Sequence, residues 1–226
     1  MATEPTLNFF YFPRACSLAP HIILEEVGLP YQRHLVDLRK EENLSEKYLK
    51  LNPKGAIPAL VVNETILTET QAILTYLGDL VPEKQLIPSS RDFLRYRAHE
   101  WMNFMSSSVH VYIRSIFRPS VYGGDDESVN AHVAAQGVKN LAKAVKVVEK
   151  RLGDNTWALG DQFSVADAYL FVMYLWTTDS RIPSVPDRSR WDALAERVWQ
   201  RPAVKRVVGI EQQDRDYSLP NHWNSE

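Results

Sequence analysis

The sequence predicts a small mixed α/β domain followed by an all-helical one, and three features carry that prediction. Strand-like and helix-like segments alternate through the first 80 residues, a Pro- and Ser-containing stretch follows, and beyond it apolar residues recur only at helical spacing. The expected boundaries are 1–81 for the first domain, 82–90 for a linker, 91–212 for the helical domain and 213–226 for a polar tail.

Each element has a local reason. LNFFYF (7–12) is short, aromatic and strand-like, and SLAPHIILEEVGL (17–29) spaces its apolar residues as a helix with Gly28 as the stop. YQRHLVDL (31–38) reads as a second strand and LSEKYLKL (44–51) as a short helix capped near Ser45. PALVV (58–62) and TILT (65–68) form a hairpin across Asn63-Glu64, and TQAILTYLGDL (70–80) closes the domain as a helix. A βαβ unit requires a parallel pair, and the hairpin then adds antiparallel strands. After VPEKQLIPSS (81–90), the positions Leu94, Ala98, Trp101, Met105, Val109, Tyr112 and Ile116 make one long amphipathic helix over 91–117. RPSVYGGDD (118–126) interrupts it, and a second long helix covers 131–152. SVADAYLFVMYLW (164–176) is apolar on nearly every face, which marks the buried central helix, and Arg201-Pro202 separates two more at 187–201 and 203–211.

Composition excludes several classes. With a formal net charge of −2, the chain lacks the basic excess that phosphate neutralisation demands, so no nucleic acid is expected as partner. No apolar run reaches the length of a membrane span, and the acidic, proline-containing start MATEP does not resemble a secretory leader, so a cytoplasmic location is expected. A single cysteine forbids an internal disulfide and a cysteine-rich zinc site; no metal site is expected, and Gly123-Gly124 is not a phosphate-binding loop.

Three runs carry candidate chemistry. In YFPRACSLAP (11–20) the lone Cys16 stands where a strand gives way to a helix, a position that favours the thiolate through free amide N–H groups and the dipole. Ser17 beside it offers an alternative, a hydroxyl that would hold a substrate thiolate and leave Cys16 a bystander. In NPKGAIPAL (52–60) a turn leads through Ile57-Pro58 into a strand edge, where unpaired backbone groups can receive an extended ligand. In LTETQAIL (67–74), Glu69 and Thr70 stand at a helix start, suited to the ammonium and carboxylate of an amino-acid end.

Together these runs resemble the glutathione transferase family, most closely its bacterial beta class, over nearly the whole chain. EWMNFMSSSVH (100–110), GDQFSVADAYLF (160–171) with Ser164 and Asp167 as a capping box, and RPAVKRVV (201–208) resemble further family segments in the expected order. The resemblance implies a thioredoxin-like first domain, glutathione as co-substrate, a small hydrophobic electrophile and a homodimer. It implies that Cys16 lies beside the glutathione sulfur, that Ile57, with Pro58 in cis, pairs with the cysteinyl part, and that Glu69 and Thr70 hold the γ-glutamyl end. Asn52 would support the site, His110 would reach back toward the thiol, and Tyr11 matches an aromatic residue near it. Phe12, Trp101, Phe104, Met105, Tyr112 and Phe117 are candidate walls for the electrophile. Departures from the pattern are Arg14 before Ala-Cys, Val111 after the histidine, and Thr70-Gln71 in the third run. Conjugation, thiol–disulfide exchange through Cys16, isomerisation or dehalogenation, and a non-catalytic binding role all remain open at this level.

Overall fold

The computed structural model describes residues 4–183, 185–215, 217, 219, 220 and 223. The first domain is β1 (Leu7–Tyr11), α1 (Leu18–Val27), β2 (Tyr31–Leu35), α2 (Glu46–Leu51), β3 (Ala59–Val62), β4 (Thr65–Thr68) and α3 (Thr70–Leu80). The sheet order is β2-β1-β3-β4, with β1 parallel to β2 and antiparallel to β3. Alternation along β1 decides its two faces: Phe9 and Tyr11 pack on His21 of α1, while Phe10 packs on Tyr48 of α2. The β3–β4 turn manages without glycine because Asn63 takes the left-handed conformation at φ 55°, which asparagine tolerates. β2 is shorter than the expected 31–38. After Leu35, Asp37 accepts from the Arg39 N–H and caps a single 3₁₀ turn, which ends the strand.

The second domain comprises α4 (Phe93–Phe104), α5 (His110–Phe117), α6 (Ser120–Gly123), α7 (Glu127–Leu152), α8 (Val165–Thr177), α9 (Ser189–Trp199) and α10 (Pro202–Asp214). The long helix expected over 91–117 is interrupted by a π turn at Met105–Val109. The cause lies in MSSSV itself: the Ser106 and Ser107 hydroxyls both donate to the Asn103 carbonyl, at 3.1 and 2.8 Å, and compete with the α-helical amide for it. Gly137 lets α7 approach α5 closely, since a Cβ there would lie 2.2 Å from Ser115 Oγ. The chain end also departs from the polar tail expected over 213–226. Tyr217, Leu219 and Trp223 are buried, and Trp223 stacks on Phe171 and Trp199; residues 216, 218, 221, 222 and 224–226 lie outside the described set. Among the described residues no helix is long and apolar enough to cross a membrane.

α8 is the centre of the molecule: all its residues except Trp176 are buried, and it packs against α1 as well as α4 and α9. Its start is a closed polar knot. The Asp167 carboxylate accepts from the Ser164 amide and hydroxyl (2.8 Å each) and from the Ala158 amide (2.7 Å), with no exposure to solvent. Loss of that carboxylate leaves three buried donors unpaired, so Asp167→Ala should lower the unfolding free energy by about 2–4 kcal/mol, measurable by urea denaturation. A loss below about 1 kcal/mol would show that the knot is not needed.

Candidate active site

A cavity of about 960 Å³ opens between the two domains. Its first-domain wall is the Phe12–Cys16 loop, the Asn52–Pro58 turn and the start of α3. Its second-domain wall comes from α5, α8 and the segment after α10. Cys16 lies two residues before α1, with its Sγ donating to the Ile57 carbonyl at 3.6 Å and a hydrogen bond linking it to Thr70. The expected helix-terminus effect is present but outweighed: burial pushes the thiol up to about 11, against hydrogen bonds from Thr70 and the Cys16 and Ser17 amides that favour the thiolate. The free protein therefore holds Cys16 as a neutral thiol near pH 7.

The binding runs converge on the same wall. Asn52 ends α2, and its amide donates to the Ala56 carbonyl at 2.7 Å, holding the turn that leads to a cis Ile57–Pro58 bond. Glu69 is exposed at the start of α3 with φ 72°, an uncommon state for a non-glycine residue and one that clusters at ligand clamps. Its carboxylate pairs with Lys54 Nζ at 2.5 Å. Thr70 is buried between Cys16 and Tyr169 of α8. Tyr169 was not foreseen as a cavity residue, although a tyrosine inside an otherwise apolar helix signals a hydroxyl needing a partner.

Two residues singled out in the sequence face elsewhere. Ser17 is fully buried, its hydroxyl donating to the Phe12 carbonyl (3.0 Å) and accepting from the Phe12 amide (3.2 Å), so it closes the loop rather than lining the cavity. The Tyr11 hydroxyl donates to Asp214 of α10 and accepts from Arg33, also away from the cavity. The apolar walls differ too. Phe12 and Phe117 line the cavity, whereas Trp101 and Met105 are core and Phe104 and Tyr112 pack against it. Phe104, before the π turn, and Tyr112, after it, both lie on the flank of the helix that packs against the core.

Residues 14–80 match the family model described as the glutathione S-transferase N-terminal domain, and residues 130–196 match its C-terminal counterpart. The chain is 36% identical over 208 residues to glutathione S-transferase GstA of Escherichia coli O157:H7, covering 91% of this chain and 98% of that one. The chain belongs to the glutathione S-transferase family. The structure is similar to a glutathione transferase homologue from Sulfitobacter solved with bound glutathione, with TM-score 0.82 and 30% identity, over 91% of this chain and 98% of that one. It is similar also to the beta-class glutathione S-transferase of Sphingomonas chungbukensis, with TM-score 0.78 and 32% identity, over 90% and 98% of the two chains.

In this glutathione S-transferase the second domain contributes His110 to the cavity, edge-on to Trp176 with ring centroids 4.8 Å apart. Burial, helped by the nearby Arg114 cation, lowers its pKa to about 4, so the ring is neutral at pH 7 and offers one donor and one acceptor. For Cys16, the rate of alkylation by iodoacetamide should climb steadily with pH toward about 11, because only the thiolate reacts. Intact mass against time at several pH values reads this; a rate that levels off below pH 9 would contradict the buried-thiol assignment.

Proposed function

We propose that this glutathione transferase holds glutathione along the first-domain wall with its sulfur beside Cys16, and transfers that sulfur to an electrophile seated against the second domain. The observation that carries this reading is the convergence of Cys16, the Ile57 carbonyl and Thr70 on one point of the cavity wall. β3 is an inner strand rather than the sheet edge its proline suggested, but Ile57 lies before its paired register, so the Ile57 backbone can pair with an extended peptide. Glu69 exchanges Lys54 for the γ-glutamyl ammonium, and the first amides of α3 receive the adjoining carboxylate. Asn52 acts through the turn it braces, as a positioning residue.

In conjugation with an aryl halide, a carbon–sulfur bond forms, the carbon–halogen bond breaks, halide leaves and the thiol proton passes to solvent. Neutral His110 supplies a hydrogen-bond acceptor on the second-domain side. Cys16 adds exchange chemistry: its thiolate attacks glutathione disulfide, one glutathione leaves as thiolate, and a mixed disulfide remains on Cys16. Its high pKa makes that step slow in the free protein. The reading extends to a cytoplasmic role in clearing electrophiles and to a homodimer. The exposed Phe93 and Tyr96 rings, 5.9 Å apart on α4, support a two-fold contact there. Light scattering at micromolar protein should give about twice the chain mass of 25.9 kDa; a monomer would sink the dimer.

The deciding experiment pairs intact mass after incubation with glutathione disulfide against conjugation of chlorodinitrobenzene, in wild type and Cys16→Ala. Wild type should gain one glutathione and the variant none, with conjugation altered in the variant. No adduct together with no conjugation by either protein would leave a binding protein rather than an enzyme.

A further inference from the structure

The second-domain half of the cavity is more cationic than a site for neutral electrophiles requires. Arg114, Arg118, Arg181 and Arg215 line it, and Arg14 of the Phe12–Cys16 loop faces it from the first-domain wall. Three carboxylates line the cavity as well, but Glu69 pairs with Lys54, Glu41 stands in the loop after β2, and Asp179 is held bidentately by Arg181, at 2.8 and 2.9 Å. Among the described residues no carboxylate lies within ion-pair distance of Arg14, Arg114, Arg118 or Arg215. Among the described residues, a chain with net charge −2 thus keeps Arg114, Arg118 and Arg215 without a paired carboxylate around one cavity, while Arg14 shares the field of Asp179.

Their settings differ in a useful way. Arg114 and Arg118 are exposed and one turn apart, at the last turn of α5 and its C-cap, where a helix end already faces cations favourably. Arg215 lies over the Phe12 ring at 5.0 Å, and Arg181 lies over the Phe117 ring at 3.8 Å, so cation and aromatic face alternate along the wall. Arg14 is mostly buried; its backbone sits at φ 60° in the loop leading to Cys16, and its Nη2 donates to the Leu175 carbonyl at 3.2 Å. Burial works against its charge most strongly, Asp179 and Tyr217 favour it, and the nearby Arg181 and Arg215 cations oppose it, a repulsion that an incoming anion would offset.

Resting on the glutathione reading above, we propose that this half of the cavity selects a co-substrate bearing a carboxylate, held by Arg114, Arg118 and Arg215 with its apolar body between Phe12, Phe117 and Trp176. The carboxylate has two chemical sources, an aromatic acid carrying its own electrophilic centre or the second half of glutathione disulfide. Arg114 and Arg118 are specificity residues here, standing on α5 and its C-cap rather than on the loop that carries Cys16.

The test compares chlorodinitrobenzoate with chlorodinitrobenzene. Each enzymatic kcat/KM is divided by the rate constant of the uncatalysed reaction with glutathione at the same pH, which removes the difference in intrinsic reactivity. In both reactions a carbon–sulfur bond forms, chloride leaves and the thiol proton goes to solvent. Wild type should favour the benzoate by about ten-fold or more, and added salt should erode that preference. The ratio should fall about ten-fold in Arg114→Gln/Arg118→Gln and by a similar factor in Arg118→Glu, which changes the charge by the same amount; both sites are solvent-exposed, and far-UV circular dichroism checks folding. Glutathione disulfide that competes with the benzoate in wild type, and ceases to in the double variant, identifies the second glutathione as source. Absence of competition with the ratio still lowered identifies the aromatic acid. An unchanged ratio in both variants, or a wild-type preference for the neutral substrate, overturns the proposal. Turnover of chlorodinitrobenzene in those same assays would leave the glutathione reading standing alone.

Discussion

A carboxylate with no access to solvent, Glu211 of α10, ties the two domains together at the point where the site begins. One of its oxygens accepts the Arg14 amide at 2.9 Å, and the other lies 2.8 Å from Nδ1 of His21, itself fully buried in α1. Burial drives the Glu211 carboxyl upward and His21 and the Arg14 amide draw it back, so the group is stable only as a member of this set. The consequence is geometric. Arg14 is held in a left-handed conformation that a non-glycine residue adopts only when its surroundings insist, and its carbonyl accepts from Trp176 Nε1 at 2.8 Å. The loop presenting Cys16 is therefore clamped from α8 and from α10, elements more than 150 residues away in sequence. Asp214, one turn further along α10, repeats the grip through Tyr11 and Arg33.

That clamping explains why burial prevails over the helix terminus at Cys16. A dipole and a few amide donors near a surface are worth about 0.3–1 kcal/mol, whereas full desolvation shifts an ionisable group by up to about 3–5 pKa units. The loop is pressed against Ile57 and Thr70 tightly enough for the larger effect to win. A thiol kept neutral is protected from idle oxidation, which proceeds through the thiolate.

The architecture was legible in the sequence wherever periodicity and punctuation agreed. β4 and α3 fall on the expected residues, and the capping box of α8 could be read from Ser164 and Asp167 alone. That Cys16, Asn52, Ile57, Glu69 and Thr70 share one wall was implied by the family resemblance of the three runs, whose turn chemistry alone marked only three separate turns. What could not be read required knowing which way side chains point. Ser17 and Cys16 are adjacent, yet the loop turns one hydroxyl inward to Phe12 and the other sulfur toward Ile57. Tyr11 is drawn off by Asp214, and Tyr217 and Trp223 are pulled onto the core from a stretch whose composition is polar. The gathering of arginines from α5, the α8–α9 connection and the chain end is a tertiary fact with no local signature.

The π turn at Met105–Val109 sets the angular phase of everything after it. Each residue of an α-helix advances about 100°, and a five-residue turn inserts one residue more than the α-helical repeat, so α5 is rotated by about that amount relative to an uninterrupted continuation of α4. His110, Arg114 and Arg118, spaced four apart, line the cavity in the phase that results, and Ile113 falls into the core. The chemical character of the second-domain wall thus depends on the hydrogen-bonding pattern of one turn as well as on the residues that line it. Straightening the run Ser106–Ser108 into α-helix at unchanged length would turn the cations away and bring a different stripe of the same helix into view, whereas deleting one serine together with the π turn would leave their phase as it is.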